Sequence, residues 1–435
     1  MAIARHLPKP SRRPADVVDR RATSLMTEDA ELRTALFRFV DVVPACHGLD
    51  DLARHLTAFA EEIETAPASV RMLERAGKQK SGRMAIGAAA LAAVRRMAHR
   101  FIAGETVSEA TGVMRGLWSS DVATSVDLLG EATITTAEAD RYARRCHEAL
   151  EQLAAVYADL PARPEIEADG LGPIPRANLS VKVSALTPLL RPEAPELGKR
   201  DADARLRELL RTAHSLGAHL HIDMESYDSR EAITDLVLET LADPEFRDGP
   251  SAGVVLQAYL RDSPALCERF IDFAGTTRRA HPLVVRLVKG AYWDHEVVEA
   301  TQHGWAPPVF EVKAESDRNF EVLTGRMLEA RASGVALRPA IASHNLRSVA
   351  HAVAVTRELG LGDADLELQV LRGLGDELQQ ALSASGLRVR TYCPVGDLVS
   401  GMAYLVRRLL ENTSNEGVLQ AQAAGTDLQE LLRAP

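Results

Sequence analysis

A short apolar run at 283–288 passes into Arg286-Leu-Val-Lys-Gly-Ala-Tyr-Trp293, and this stretch gathers more groups able to do chemistry than any other in the chain. Two cations, a glycine and two aromatics at a strand end suit a flat, electron-rich ligand: Gly290 leaves the backbone open and Tyr292 and Trp293 offer ring faces. Arg286 lies inside the run, where a charge needs a partner. That partner is either a carboxylate of the protein, the simpler reading for one arginine, or an anionic or carbonyl-rich ligand. Farther on, Arg407 and Arg408 sit in a nearly all-apolar helical stretch at 398–411, with Glu411 three and four positions beyond them. A forked guanidinium is the natural partner of a carboxylate. Successive helix positions diverge by about 100°, so both can grip one small anion only if their helix caps a site; the alternative is a surface Arg-Arg-Glu network.

Such groups need elements that bring them together. From 122 onward short β-like runs alternate with amphipathic ones, and strands are predicted at 122–129, 178–184, 218–223, 253–259, 283–288, 337–343, 366–370 and 387–392. Helices such as 203–216 and 228–241 lie between them, and a last one is expected at 398–410. That count is the count of an α/β fold of the (β/α)8 TIM-like barrel type. A doubly wound sheet competes, but no Gly-x-Gly-x-x-Gly follows a strand, since Gly373-Leu-Gly375 lacks the third glycine. In a barrel, Glu131, Lys182, Asp223, Glu225, Gln257, Arg286, Lys289, His344, Asn345, Gln369 and Tyr392 fall in or just beyond the C-terminal halves of the strands and converge on one mouth. Any one of them could be a satisfied structural group; the convergence of the set is the argument. Ahead of the barrel, helical spacing at 28–43, 49–63 and 84–101 is followed by Thr106-Val-Ser-Glu109, which has the form of a capping box. The organisation expected is a polar leader at 1–27, a helical arm at 28–120, the barrel at 121–425 and a short tail at 426–435.

Composition narrows the function classes. Lys and Arg number 51 against 61 Asp and Glu, a formal charge of −10 that speaks against a duplex-binding surface. Cys46, Cys146, Cys267 and Cys393 are far apart, the pattern of free thiols in a reducing compartment and not of a disulfide framework or a zinc site. No secretory signal is evident, and the alanine-rich run at 84–94 is short and broken at Gly87. The expectation is a cytoplasmic protein with no nucleic-acid partner, free to touch the inner face of a membrane peripherally.

Six runs then carry a resemblance: Val126-Asp-Leu-Leu-Gly-Glu131, Ser180-Val-Lys-Val-Ser-Ala-Leu186, Val255-Leu-Gln-Ala-Tyr259, Arg286 through Asp294, Tyr392-Cys-Pro-Val-Gly396 and Tyr404-Leu-Val-Arg-Arg-Leu-Leu-Glu-Asn412. In this order they resemble proline dehydrogenase, most strongly the proline dehydrogenase part of the bifunctional proline utilization A proteins, over about 36–418. The resemblance implies a distorted (β/α)8 barrel that uses FAD to oxidise L-proline to pyrroline-5-carboxylate and passes the electrons to a membrane quinone. It implies that Lys182, Arg407 and Arg408 fix the substrate carboxylate, that Glu131 pairs with Arg407 over the closed site, and that Asp223, Tyr292, Leu371 and Tyr392 complete the substrate wall. Tyr392 would crowd the far side of the proline ring and disfavour a ring hydroxyl. Val255, Gln257, Arg286, Val288, Lys289, Gly290, Ala291 and Trp293 would form the flavin pocket, with Arg286 near the reactive edge of the ring system. Lys313, Ser343, His344, Asn345, Gln369 and Glu411 would contact the rest of the cofactor.

Some positions depart from that family's pattern: Ser343 where threonine is usual, Glu311 where threonine is common, and Met224 in place of a smaller residue. The likeness extends to no aldehyde dehydrogenase portion and no ribbon-helix-helix segment, so the chain is expected neither to oxidise the aldehyde product nor to bind DNA. A pyrroline-5-carboxylate dehydrogenase, separate or fused, is the expected partner. Two rivals stand beside this reading. His219-Leu-His221-Ile-Asp223 alternates on one strand face and, with Lys289 and His344, is compatible with a metal-dependent barrel hydrolase; against it, both histidines sit inside the strand and no metal is expected. A non-catalytic proline or flavin sensor is the other.

Overall fold

The computed structural model describes residues 30–63, 79–130 and 133–397, together with His6, Gly401, Tyr404 and 432–435. Glu131, Arg407, Arg408, Glu411 and most of the helix expected at 398–410 lie outside the described residues, as does the leader apart from His6.

Among the described residues four helices precede the barrel: α1 (Ala30–Val42), α2 (Leu49–Glu61), α3 (Lys80–Phe101) and α4 (Val107–Ser119). Phe39, Val40, Leu52, Val94 and Phe101 form a small core of their own, which Ile102 and Leu129 join to the barrel. Gly87, which breaks the alanine run, lets α3 lie directly on α2, since a Cβ there would sit 2.0 Å from the Leu49 carbonyl oxygen. The Thr106 box forms only by half. The Thr106 hydroxyl accepts from the Glu109 amide at 3.2 Å, but the Glu109 carboxylate takes the Glu105 amide instead of that of Thr106. The complete reciprocal box lies one helix later, where Thr135 and Glu138 cap each other's amides at the start of α5 (Thr136–Ala158).

Eight parallel strands close a barrel: β1 (Val122–Leu128), β2 (Asn178–Lys182), β3 (His219–Asp223), β4 (Ser251–Gln257), β5 (Leu283–Val288), β6 (Leu337–Ala342), β7 (Glu367–Leu371) and β8 (Val389–Val395), with β8 returning to β1. The closed order excludes the doubly wound sheet. Between the strands lie α5, α6 (Pro195–Ser215), α7 (Tyr227–Ala242), α8 (Ser263–Thr276), α9 (Trp293–His303), α10 (Lys313–Ala332), α11 (Leu346–Glu358) and α12 (Asp376–Ala384). Two of them, α9 and α10, fill the single crossover between β5 and β6. The barrel is uneven: β1 and β8 pair over their full length, from Val122 against Val389 to Leu128 against Val395, while β1 meets β2 only at Val126–Leu179 and Asp127–Ser180. Predicted strand ends shift by at most three residues; the largest shift is at β8, which runs on to Val395, while β2 stops at Lys182 and turns into the short helix Val183–Leu186.

The bore is polar where barrels of this kind are usually filled by Val, Ile and Leu. Alternate residues Asn178, Ser180 and Lys182, His219, His221 and Asp223, Glu367 and Gln369, Arg390 and Tyr392 engage one another across it, while Leu179, Val181, Leu220, Ile222, Leu368 and Val370 belong to the hydrophobic cluster outside.

Candidate active site

Arg286 projects from the middle of β5 into the bore and is 4% exposed. Its Nη1 donates to Asp223 Oδ1 at 2.7 Å and its Nε to Gln369 Oε1 at 2.8 Å, and Nη2 reaches the Ser125 and Ser180 hydroxyls at 3.2 and 3.1 Å. The guanidinium also lies over the Tyr392 ring, 5.1 Å from its centre. A partner for the buried charge is thus present within the protein, in Asp223.

Around this arginine the strand ends assemble the rest. Asp223, the last residue of β3, accepts on Oδ2 from the Tyr392 hydroxyl at 2.6 Å and lies 3.5 Å from Lys182 Nζ. Lys182, the last residue of β2, donates to Asp127 Oδ1 at 2.6 Å. Burial works against the Lys182 ammonium, but Asp127 and Asp223 override it and hold the group charged, above the usual lysine range. Burial, then the same two carboxylates, push the Tyr392 phenol well up, so it remains a neutral donor. Gln369 is held from the other side, where its amide donates to Glu367 at 2.6 Å and its oxygen is therefore turned to Arg286. The cluster is a short-range alternation of cations and carboxylates with one phenol, able to exchange an internal carboxylate contact for one from a small acid.

The outer ring divides into groups. Lys289 and Lys313 both donate to Asp317, the latter at 2.7 Å. Burial lowers the Lys289 pKa, with Asp317 opposing. Gly290 has φ +134°, and a Cβ there would lie 2.4 Å from the Tyr259 ring. Its missing side chain leaves room for the Tyr259 ring to lie directly against the backbone. Ala291 follows it, Tyr292 is the N-cap of α9, and Trp293, 39% exposed, donates to the Phe310 carbonyl at 2.8 Å. Val255 on β4 lies opposite Arg286 in register, and Gln257 opposite Val288. Gln257 donates to the Glu225 carbonyl at 2.9 Å and leaves its Oε1 buried without a partner; burial raises the Glu225 carboxyl. Beyond β6, the Ser343 hydroxyl accepts the Asn345 amide at 3.1 Å, Asn345 caps α11, and His344 Nε2 accepts the Leu371 amide at 2.9 Å.

The structure therefore brings Lys182, Asp223, Arg286, Gln369 and Tyr392 into one connected cluster and keeps Lys289 and Lys313 in a second. Sequence reasoning passed over Asp127, Ser125, Ser180, Asp317 and Glu367. An acid in a wholly buried strand is the same signal that singled out Arg286, and applied to Asp127 and Glu367 it would have found them. Asp317 follows Lys313 by one helical turn, a spacing that also stood in plain view.

Comparisons with known proteins bear on the family and the fold. A family profile described as Proline dehydrogenase matches residues 110–421, and one described as Proline utilization A N-terminal domain matches residues 2–101. Bifunctional protein PutA of Salmonella typhimurium is 30% identical over 367 residues, which is 82% of this chain and 26% of that protein. Proline dehydrogenase 1 of Bacillus subtilis is 26% identical over 318 residues, 73% of this chain and 87% of that protein. The crystal structure of proline utilization A from Bdellovibrio bacteriovorus, inactivated by N-propargylglycine, superposes with a TM-score of 0.82 at 36% identity, over 95% of this chain and 40% of its own. The chain spans about a quarter of the length of the PutA relative, 26% of it.

Proposed function

The chain belongs to the proline dehydrogenase family, and on that premise we propose that it oxidises L-proline to pyrroline-5-carboxylate with bound FAD, the electrons passing on to a membrane quinone. The observation that carries this reading is the Lys182–Asp223–Arg286–Tyr392 cluster at the C-terminal ends of the strands, the face on which barrels of this type do chemistry. Lys182 is kept charged in a buried site. It is the carboxylate anchor of the proposal, and Arg407 and Arg408 are its partners in clamping the same group. Glu131 is assigned to pair with Arg407, and Tyr292 and Leu371 to the substrate wall. Tyr392 is assigned to limit room at the far side of the ring.

The residues fit a flavin. The orphaned Gln257 oxygen offers an acceptor to a ring edge, and Lys289 with Lys313 sets two ammoniums against the single carboxylate of Asp317, an excess of positive charge suited to a diphosphate. Val255, Gln257, Arg286, Val288, Lys289, Gly290, Ala291 and Trp293 would line the ring, and Lys313, Ser343, His344, Asn345, Gln369 and Glu411 the remainder. FAD supplies the acceptor for the hydride. The chain's part is positioning: the carboxylate clamp aims the ring carbon beside nitrogen, and Arg286 places fixed positive charge that favours an electron-rich ring system. The substrate amine must be neutral when the hydride leaves, and its proton is assigned to solvent.

Among the described residues no helix is long and apolar enough to cross a membrane. Exchange with the quinone is proposed at the inner face, by peripheral contact. A pyrroline-5-carboxylate dehydrogenase, on this polypeptide or another, is proposed to take the product. The hydrolase reading is disfavoured by position: His219 Nε2 and His221 Nδ1 lie 3.2 Å apart, His219 Nδ1 is 2.8 Å from the Ser251 hydroxyl, and both rings sit deep in β3 below the mouth. The test is an anaerobic absorbance spectrum. A yellow protein bleached by L-proline supports the enzyme; a yellow protein indifferent to it supports the sensor, and a colourless, zinc-containing one the hydrolase.

A further inference from the structure

Below the mouth the bore carries charge that its own residues leave unbalanced. Arg338 donates to both oxygens of Asp169, at 2.7 and 2.9 Å, and Arg390 to both oxygens of Glu367, at 2.8 and 3.1 Å. These are two forked pairs in which each carboxylate is fully engaged. Arg388, immediately before β8, is a third guanidinium in the same space, 3% exposed, and none of its three nitrogens has a hydrogen-bond partner. Its nearest carboxylate oxygen, Asp169 Oδ2, is 3.6 Å from Nη1 and already accepts from Arg338. Three cations thus face two anions. His219 and His221 are driven neutral by burial, with neighbouring arginines adding to the effect, and supply no negative charge. A cavity of about 20 Å³ opens among Arg338, Arg388, Arg390, Glu367, His219 and His221, and His221 Nε2 is likewise buried without a partner. That volume holds one water-sized occupant.

We propose that the barrel floor binds one small inorganic anion, of the size and charge of chloride, against the Arg388 guanidinium. A neutral water would satisfy some donors there but would leave the extra charge buried, which is the costlier arrangement in a low-dielectric interior. A monovalent anion satisfies the donors and brings cations and anions level. It is a structural ligand of the floor, below the mouth, and its binding should raise stability without entering turnover.

Bromide is the probe, because it scatters anomalously and resembles chloride. Crystals of the full chain exchanged into sodium bromide should show an anomalous peak within hydrogen-bond reach of Arg388; an ordered water there with no anomalous signal would overturn the proposal. In solution, the unfolding midpoint should be higher in chloride or bromide than in gluconate at equal ionic strength, by roughly 2 °C. Arg388→Met should lose that anion-specific part, and equal midpoints for the unaltered protein in all three salts would also refute the site.

Discussion

The two ends of the bore are built from the same residue types and differ in how the charges are joined. At the floor, Arg338–Asp169 and Arg390–Glu367 are forked pairs with two parallel contacts each, so every oxygen is committed. At the mouth, Lys182 makes one hydrogen bond to Asp127 and a longer contact with Asp223, and Asp223 divides its oxygens between Arg286 and the Tyr392 hydroxyl. A forked guanidinium pair is fixed in plane, whereas an ammonium with three rotatable donors and a phenol can change partners. The same buried charge therefore serves rigidity at one end and exchange with an incoming carboxylate at the other. Gln369 is the hinge between them, donating down to Glu367 and accepting from Arg286 above.

Breaking the floor should cost folding before it costs chemistry. Glu367→Ala strands Arg390 without its carboxylate and is expected to lower stability by about 3–5 kcal/mol, measured by urea unfolding. A loss below about 1 kcal/mol would erase the distinction between the two ends. At the mouth, Arg286→Lys keeps the charge but cannot reach Asp223, Gln369, Ser125 and Ser180 together. Proline turnover by the FAD-loaded protein should fall by about 100-fold, or near 2.7 kcal/mol, with a much smaller change in the urea midpoint.

The comparison also has a pH signature. His219 and His221 titrate below their ordinary value when folded, because burial disfavours the charged rings. The unfolded chain therefore binds more protons below about pH 6.5, and the stability the two rings contribute is complete above that pH and is lost as pH falls. The slope should reach about 1.4 kcal/mol per pH unit for each ring. Lys182 is shifted the opposite way and should add no slope in this window, since its stabilisation persists until pH rises past the ordinary lysine range. Unfolding free energy measured from pH 7.5 to 5 in about half-unit steps checks both statements. The smallest effect expected is at Tyr392: replacing it with serine should raise the ratio of hydroxyproline to proline kcat/KM several-fold, on the order of 1 kcal/mol, and no relative gain would remove the steric account of specificity.

Much of the barrel was legible because buried parallel strands carry short runs of valine and leucine between amphipathic stretches, and the strand ends moved by only a few residues. The position of the reactive face was legible for the same reason, since any unusual polar residue at those ends must share one rim. Internal partnerships were not. Asp127 stands inside one of the motifs, but a sequence does not disclose which of two facing strands supplies the opposite charge, so its role as the acceptor for Lys182 is visible only in the fold. That the Tyr259 ring packs against the bare backbone of Gly290 is likewise not disclosed by the sequence. The floor went unread because Arg338, Arg388, Arg390 and Glu367 are scattered singly, and only closure of the barrel sets them face to face. Arg407 and Arg408, singled out from their apolar surroundings, lie outside the described residues, and their part in the clamp rests on the proposal.

The most direct measurement is the proline saturation curve of FAD-loaded Lys182→Met beside that of the unaltered protein, with an unfolding curve for each. Loss of a charge-assisted carboxylate contact is typically worth 2–5 kcal/mol, so the Michaelis constant should rise by roughly 30-fold or more while the variant stays folded and yellow. An unchanged Michaelis constant in a folded, flavin-bearing variant would contradict the assignment of the mouth to the substrate carboxylate.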